Sequence, residues 1–247
     1  MTTVAIVQAR MGSTRLPGKV MRPLLGEPML TRVMRRTARA GRLEAVVVAT
    51  TREREDDVIE DLAARERWAL FRGSTDDLLD RYVMAARANE ADVIVRITSD
   101  CPLIEPAVID ATIETFAAGG CDYASNTLEP RTFTRGLDVE VIAREALERA
   151  WSEDGDPAWR EHATPYLYRH PELFRSCGVF SDIDRSEQRW VVDTAADFEL
   201  VRRIYDALGR DDFTWREALA VVDANPGWMD LNRDVAQKAV PPSTYAG

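Results

Sequence analysis

Cysteine, histidine and long apolar runs are all scarce in this chain of 247 residues. The three cysteines, Cys101, Cys121 and Cys177, are scattered and form no C-x-x-C pair. Their odd number and spacing disfavour a disulfide framework or a zinc–cysteine site and are typical of a reducing cytoplasm. The two histidines form no H-E-x-x-H pair, and no G-x-S-x-G motif occurs. Zinc hydrolases and serine hydrolases of the usual kinds are therefore disfavoured.

Hydropathy and charge exclude two further classes of protein. No apolar run approaches the roughly 20 residues of a membrane span, and no charged-then-apolar leader follows Met1. We therefore expect a cytoplasmic protein with no membrane partner. The net charge is −10 and the isoelectric point about 4.9, whereas nucleic-acid-binding proteins usually have a basic excess or a basic face. We expect no nucleic-acid partner, although a local positive pocket for small anions is compatible with this charge.

Apolar runs bounded by turn residues alternate with helical periodicity, a pattern typical of a βαβ fold. The predicted strands are residues 4–7, 45–49, 68–71, 93–97, 138–142, 173–180 and 189–192. The predicted helices are residues 28–41, 56–66, a segment capped by Ser74 or Thr75, 106–120, 144–151, 159–170, 195–208 and 214–223. Residues 123–136 are predicted to be an exposed arm, and the tail after Pro226 is predicted to be irregular. Without a low-complexity linker or an internal repeat, residues 1–247 are predicted to form one α/β domain with a small inserted lobe.

The loop of residues 9–19 follows the first predicted strand and combines glycine, hydroxyl and cationic side chains. Gly12 and Gly18 permit backbone conformations closed to other residues and let a ligand approach the main chain. Successive N–H groups in such a loop form a concavity suited to anions. The loop also has three cations within ten residues: Arg10, Arg15 and Lys19. This chemistry matches a polyphosphate best, and the alternative is a basic surface loop joining a strand to a helix.

The loop departs from two common phosphate-binding patterns. A Walker A motif has four residues between its first glycine and the Gly-Lys pair, followed by Ser or Thr for magnesium. Five residues separate Gly12 from Gly18, and Val20 follows Lys19. No G-x-G-x-x-G follows the predicted strand, so a dinucleotide-binding fold of the Rossmann type is disfavoured as well.

The run VQARMGSTRLPGK, residues 7–19, resembles the signature loop of the cytidylyltransferases that make CMP-activated acidic sugars. The resemblance is to the spore-coat polysaccharide synthesis type, with CMP-sialate and CMP-KDO synthetases as relatives. Five more stretches support it in the family's order: FRGS (71–74), DRY (80–82), RITSDCPLI (96–104), GLDVE (136–140) and VDT (192–194). The resemblance implies a three-layer, Rossmann-like, mostly parallel sheet of the nucleotide-diphospho-sugar transferase type. It also implies a homodimer formed through residues 125–180 as an inserted arm.

The same resemblance implies a magnesium-dependent enzyme that transfers CMP from CTP to an anionic acceptor, such as a sugar acid, with release of pyrophosphate. Such an enzyme would act in glycan or polysaccharide precursor synthesis. Asp100 and Asp193 each follow a predicted strand, and magnesium typically takes one or two carboxylates plus substrate phosphates. Asp100 falls at the family's metal-binding aspartate, although relatives often have glycine where this chain has Ser99. Asp193 resembles the second ligand, and a helix cap before residue 195 is the alternative.

Arg15 and Lys19 are candidates for holding the β- and γ-phosphates and the departing pyrophosphate, because arginine presents a planar fork and lysine a compact charge. Other predicted nucleotide contacts come from the first loop and from the ends of neighbouring strands: Ala9, Arg10, Gly12, Ser13, Thr50, Arg72 and Ser74. Predicted acceptor contacts are Arg96, Asp138, Glu140 and His162. For Arg96, an internal salt bridge is the equal alternative, since buried arginines are rarely unpaired. For Asp138 and Glu140 the alternative is the solvent side of a half-exposed strand.

Two other functions remain open from the sequence. A glycosyltransferase that uses a nucleotide sugar has a similar first half, but its usual Asp-x-Asp pair is missing, since Cys101 and Pro102 follow Asp100. A non-catalytic nucleotide-binding protein would bind CTP tightly without releasing pyrophosphate when acceptors are supplied.

Overall fold

The computed structural model describes residues 1–238, 240 and 242, which form a seven-stranded sheet with helices on both faces and a separate two-stranded hairpin. The strands are β1 (Thr3–Gln8), β2 (Pro23–Leu24), β3 (Glu27–Pro28), β4 (Ala45–Thr51), β5 (Ala69–Gly73), β6 (Val93–Thr98), β7 (Tyr123–Ser125), β8 (Glu140–Ala143) and β9 (Ser176–Gly178). The helices are α1 (Met29–Thr37), α2 (Asp57–Glu66), α3 (Leu78–Ala88), α4 (Pro106–Gly119), α5 (Arg144–Glu153), α6 (Pro157–Arg160), α7 (Pro165–Arg169), α8 (Ala195–Leu208) and α9 (Trp215–Ala224). Short 3-10 turns span Lys19–Met21, Arg54–Asp56 and Pro226–Leu231. No helix within the described residues is both long and apolar enough to cross a membrane.

The strand order in the main sheet is β5-β4-β1-β6-β8-β7-β9. β5, β4, β1 and β6 are parallel to their neighbours, whereas β8 runs antiparallel to both β6 and β7. β7 and β9 are again parallel. The mostly parallel α/β sheet that the sequence predicts is therefore confirmed. Because parallel strands end at the same edge, the loops after β1 and β6 lie side by side, where ligands bind in open α/β sheets.

The sheet is buried on both faces. Along β1, Val4 and Ile6 point to one side and Ala5 and Val7 to the other, and each pair belongs to a separate apolar core. Helices α1, α2, α4 and α8 contribute to the core with Ala5, and helices α3, α5 and α7 contribute to the core with Val4. This double covering explains why the sequence of the central strands lacks polar alternation.

Several helix ends follow the capping rules. Thr194 and Asp197 form a complete capping box at the start of α8, so the cap is Thr194 and not Asp193. The cap of α3 is Asp77, whose carboxylate accepts from the Asp80 N–H at 2.8 Å, which corrects the prediction of Ser74 or Thr75. The first predicted helix ends at Thr37, four residues before Gly41.

Four predicted segments differ in the structure. Residues 189–192 join no named strand: the Val192 N–H donates to Asp100 O at 2.8 Å, and Arg189 makes one isolated bridge to Arg135. The predicted exposed arm of residues 123–136 begins with β7, which is fully buried in the sheet. The predicted helix of residues 159–170 is divided between α6 and α7, and the predicted strand of residues 173–180 shortens to β9. The inserted arm of residues 125–180 contributes β8 and β9 to the main sheet, and its role in dimerisation stays a prediction.

Candidate active site

A polar cavity of about 240 Å³ opens at the carboxyl edge of β1 and β6. We call it the loop cavity, because the loop after β1 forms much of its wall. Eight of the predicted site residues line it: Ala9, Arg10, Ser13, Arg15, Lys19, Asp100, His162 and Asp193. Residues from the first loop, from the end of β6 and from the segment before α8 are thus brought together, although they are far apart in the sequence.

The buried carboxylate of Asp56 holds the loop in place. It accepts from the Met11 N–H at 2.7 Å and also from the Thr51 hydroxyl at the end of β4. Gly18 has a φ of 66°, in the left-handed region that favours glycine, and leads into the turn that contains Lys19. The turn buries Lys19, whose exposed fraction is 8%, and directs its side chain toward the end of β6.

The ammonium of Lys19 joins the two predicted metal ligands. Its Nζ donates to Asp100 Oδ2 at 2.9 Å, to Asp193 Oδ1 at 3.1 Å and to Val192 O at 2.7 Å. Burial by itself would lower the pKa of Lys19, but the charges of Asp100 and Asp193 outweigh it and raise the pKa above its usual value. Lys19 is therefore a fixed positive charge between two carboxylates.

The two carboxylates differ in their surroundings. Burial alone would raise the pKa of Asp100, but the Lys19 charge and a hydrogen bond from Thr98 bring the pKa below its usual value. Asp193 has two further cationic partners, Arg15 Nη2 at 2.8 Å and Arg189 Nη2 at 2.7 Å. Asp100 is thus ionised with one cationic partner, whereas Asp193 is held by three.

These carboxylates suit magnesium in kind, because hard cations take oxygen ligands. No group of three or more histidine, cysteine, aspartate or glutamate side chains that could hold a metal occurs within the described part of the chain. An ion bound by Asp100 and Asp193 would need further oxygen ligands, which nucleotide phosphates supply in other enzymes. The donor set therefore fits an ion that arrives with a nucleotide better than a resident metal.

A second cavity, of about 740 Å³, shares Arg15, Asp100 and Asp193 with the loop cavity. We call it the arginine cavity, because three further arginines line it: Arg96, Arg131 and Arg135. Since both cavities open onto the same carboxylates, molecules in the two cavities would meet there.

The acidic residues of the arginine cavity are engaged by the protein itself. Glu140 forms an ion pair with Arg96 and accepts from the Tyr123 hydroxyl at 2.7 Å. Burial would lower the pKa of Arg96, but the Glu140 charge raises it overall. Asp138 pairs with Arg131 and accepts from the Gly136 N–H at 3.2 Å. The internal salt bridge is therefore the structural role of Arg96, and Glu140 is buried and does not lie on a solvent face.

Four of the predicted nucleotide contacts line neither cavity: Gly12, Thr50, Arg72 and Ser74. Arg72 donates to Thr51 O and Asp57, both at 2.8 Å, and pairs with Glu60 on the outer side of the sheet. The Ser74 hydroxyl accepts from the Asp77 N–H at 3.1 Å and so belongs to the turn before α3. Thr50 is fully buried. These three side chains thus lie outside both cavities, and their contact with a nucleotide stays a prediction.

A side chain at position 12 would collide with a neighbouring acid, because a Cβ added to Gly12 would lie 2.8 Å from Glu55 Oε1. Gly12 therefore leaves room for the Glu55 side chain, and Gly12 lines neither cavity.

Other residues of the loop cavity were not indicated by the sequence. They include Gln8, Thr75, Asp76, Arg81, Thr98 and Lys238. Arg81 is 3% exposed and donates to Ser74 O at 2.7 Å, and its Nε has no hydrogen-bond partner in the described part of the chain. Burial lowers the pKa of Arg81, and the nearby Arg10 charge contributes to this. Gln8 and Thr98 end two central parallel strands, a position that could have identified them, and Arg81 lies within the DRY stretch.

A mostly parallel α/β sheet with a cationic loop after its first strand, and two acids at the same edge, defines the class of α/β nucleotide-binding transferases. A family model described as cytidylyltransferase matches residues 4–219, and the chain belongs to the cytidylyltransferase family. Membership supports nucleotidyltransferase activity, and it confirms the family that the sequence resembles.

Individual relatives agree with this assignment. The chain is 30% identical over 233 residues to the spore coat polysaccharide biosynthesis protein SpsF of Bacillus subtilis, which covers 90% of this chain and 94% of that protein. It is 39% identical over 239 residues to a 3-deoxy-manno-octulosonate cytidylyltransferase of Geobacter metallireducens, with coverage of 85% and 93%. A solved cytidylyltransferase structure from Leptospira borgpetersenii matches with a TM-score of 0.89 at 33% identity, covering 97% of this chain and 100% of that one.

Proposed function

We propose that this protein transfers CMP from CTP to a small anionic acceptor, a 2-keto sugar acid or a related polyol acid, and releases pyrophosphate. The product would be a precursor for glycan or polysaccharide synthesis. One observation carries the proposal: the cluster of Lys19, Asp100 and Asp193 lies where the loop cavity and the arginine cavity meet. A triphosphate in the first cavity and an acceptor in the second would meet at the two carboxylates.

In this reaction an acceptor oxygen attacks the α-phosphorus and the bond to the β-phosphate breaks, so the protein mainly has to position charge. Arg15 and Lys19 would hold the phosphates and the departing pyrophosphate. For this, the Arg15 guanidinium would exchange its 2.8 Å contact with Asp193 for phosphate oxygens. Arg10 and Ser13, which line the same cavity, would complete the binding of the nucleotide.

We propose magnesium as the cofactor, with Asp100 as its principal ligand and Asp193 as the second. Asp100 has a single cationic partner and Asp193 has three, so less of the charge of Asp100 is neutralised by the protein. When bound, the ion would supply Lewis-acid stabilisation of charge on phosphate oxygens.

His162 lines both cavities. Burial lowers the pKa of His162, with smaller contributions in the same direction from the Arg96 and Lys238 charges. It would therefore contact an acceptor as a neutral imidazole, which can donate one hydrogen bond and accept another. A neutral ring in a cavity of arginines suits a hydroxyl-rich molecule.

We also propose a homodimer formed through residues 125–180. Phe180, at the end of this segment, is 52% exposed, although large apolar side chains are usually covered. Light scattering coupled to gel filtration would test this, and a monomer at micromolar concentration would contradict it.

The proposed activity is tested by a pyrophosphate-release screen. Each of the four nucleoside triphosphates is combined with magnesium and a panel of 2-keto sugar acids, phosphonates and sugar phosphates. We expect release with CTP and at least one acid. Release with UTP or ATP alone would refute the base, and tight CTP binding without release for any acceptor would indicate a non-catalytic nucleotide-binding protein.

A further inference from the structure

The chain contains two lysines, Lys19 and Lys238, and both line the loop cavity. Apart from the two histidines, the other basic side chains of the sequence are arginines. Lys238 also lines the arginine cavity, so it lies where the two cavities join. Its side chain is exposed and has no hydrogen bond or ion pair within the described residues. The Lys238 ammonium thus lies at the junction of the two cavities with no ion pair to any residue that the structure describes.

Lys238 belongs to a segment that the site itself holds. We call residues 232–238 the C-terminal segment. Asn232 Nδ2 donates to Asp197 Oδ1 at 2.9 Å, Arg15 Nη1 donates to Ala236 O at 3.3 Å, and Arg189 donates to the side chain of Gln237. Arg15 and Arg189 are also the two arginines that pair with Asp193. The position of Lys238 is therefore fixed by the same side chains that surround the carboxylates.

Most positive charges of the arginine cavity are neutralised within the protein. Arg15 pairs with Asp193, Arg96 with Glu140 and Arg131 with Asp138.

The two cations of this cavity without a carboxylate partner, among the residues that the structure describes, are Arg135 and Lys238. Partial burial lowers the pKa of Arg135, and the neighbouring charge of Arg131 lowers it further. The charges of Asp138 and Glu129 act in the opposite direction, and a bound anion would offset the remaining repulsion from Arg131 and Arg189. The arginine cavity therefore has unused positive charge at two points, one on the folded domain and one on the C-terminal segment.

We infer that Arg135 and Lys238 bind the acidic group of the acceptor, and that Gln237 and Lys238, at the end of the C-terminal segment, form one wall of the acceptor site. Gln237 and Lys238 both line the arginine cavity. The inference rests on the proposed function and names the residues that recognise the charge of the acceptor. It gives the acceptor a carboxylate, or a phosphonate of the same charge sign, between Arg135 and the junction of the two cavities.

Kinetics with 3-deoxy-manno-octulosonate as the acidic probe test the inference at saturating CTP. Lys238→Gln and Arg135→Gln should each raise the KM for the probe at least tenfold and leave the KM for CTP within twofold. Lys238→Arg, which keeps the charge, should stay within threefold of the wild type. Arg233→Gln is the matched control, because Arg233 is a largely exposed cation that pairs with Asp230 and lines neither cavity. It should behave as the wild type.

Chemical labelling gives a second readout. Reductive methylation with formaldehyde and a borane can modify Lys19, Lys238 and the terminal amine, and mass spectrometry separates them. The probe should slow methylation of Lys238 at least threefold in the presence of CTP, whereas glucose, a neutral sugar, should not. Any of three results would overturn the inference. They are equal protection of Lys238 by the probe and by glucose, a KM for the probe in Lys238→Gln equal to that in Arg233→Gln, and an increase in the KM for CTP alone. If the wild type turns over no acid in the screen, the proposed function and this inference both fail. If the wild type turns over the probe and the Lys238→Gln and Arg135→Gln variants keep the same KM for it, this inference alone fails.

Discussion

Replacing Asp100 by asparagine tests the centre of the proposed site. The change keeps the shape of the side chain but removes the charge that faces Lys19 at 2.9 Å. Lys19 retains Asp193 and Val192 O as partners, so its ammonium stays paired. The variant should therefore fold, and the lost function should be that of a charged oxygen ligand.

The expected magnitude follows from these contacts. A hydrogen bond between charged groups contributes roughly 1.5–3 kcal/mol, and replacing one such bond by a weaker neutral one should cost about 1 kcal/mol of stability. For a chain of this size that lowers the melting temperature by about 2–4 °C. The loss of activity should be much larger, at least about 100-fold in kcat, or about 2.7 kcal/mol of activation free energy. A small loss of stability together with a large loss of kcat would indicate that Asp100 acts in the reaction and not mainly in folding.

Asp92→Asn is the matched control. Asp92 directly precedes β6, at the opposite end of the strand from Asp100, and pairs with Arg144 at 3.3 Å away from both cavities. The assay is pyrophosphate release at saturating CTP and magnesium, with thermal unfolding followed by circular dichroism. If Asp100→Asn keeps more than about a tenth of the wild-type rate, a loss below roughly 1.4 kcal/mol, Asp100 is not a metal ligand.

Three further predictions concern Arg72, Glu140 and the pH dependence of the contribution of Asp100 to stability. Arg72→Gln should change the KM for CTP less than twofold, because Asp57 and Glu60 hold its guanidinium outside both cavities. A tenfold increase would instead support its predicted contact with the nucleotide. Glu140→Gln removes the charge partner of the buried Arg96 and should lower the free energy of unfolding, measured in urea, by about 3–5 kcal/mol. A decrease below about 1 kcal/mol would show that the fold does not depend on the pair. Because the folded-state pKa of Asp100 is lowered, its contribution is present above the ordinary aspartate pKa of about 3.9 and is lost as pH falls through the lower folded-state value. The stability difference between wild type and Asp100→Asn should therefore shrink in acid, and a difference that grows below pH 4 would contradict the sign.

Features set by local sequence could be predicted. The loop of residues 9–19 has its cations, glycines and preceding strand next to one another, and the structure places Arg15 and Lys19 in the cavity. Helix α8 matches its predicted range of 195–208, because a capping box precedes its periodic apolar face and Gly209 follows it. Asp100 comes directly after a central strand, where the edge of the sheet places it.

Features set by long-range pairing could not be predicted in this way. Arg72 lies on β5, two strands away from β1, and neighbouring strands are about 4.8 Å apart. Its strand ends at the correct edge of the sheet, but Asp57 and Glu60 of α2 hold its guanidinium, and Arg72 lines neither cavity. Residues 189–192 have the composition of a strand, yet Val192 bonds to Asp100 O alongside the end of β6. Lys238 has no local pattern at all, since only the folded chain brings it to the site.

The position of Arg15 connects the two cavities. Its guanidinium contacts Asp193 with one nitrogen and Ala236 O of the C-terminal segment with the other. The guanidinium has five N–H donors, and a triphosphate that replaces Asp193 or Ala236 O as a partner would break that one contact. If the contact with Asp193 breaks, that carboxylate keeps only Lys19 and Arg189 as cationic partners and is less neutralised. If the contact with Ala236 breaks, the segment that contains Lys238 can adjust toward the acceptor. In both cases the arrival of the nucleotide prepares the groups that the second reactant would meet.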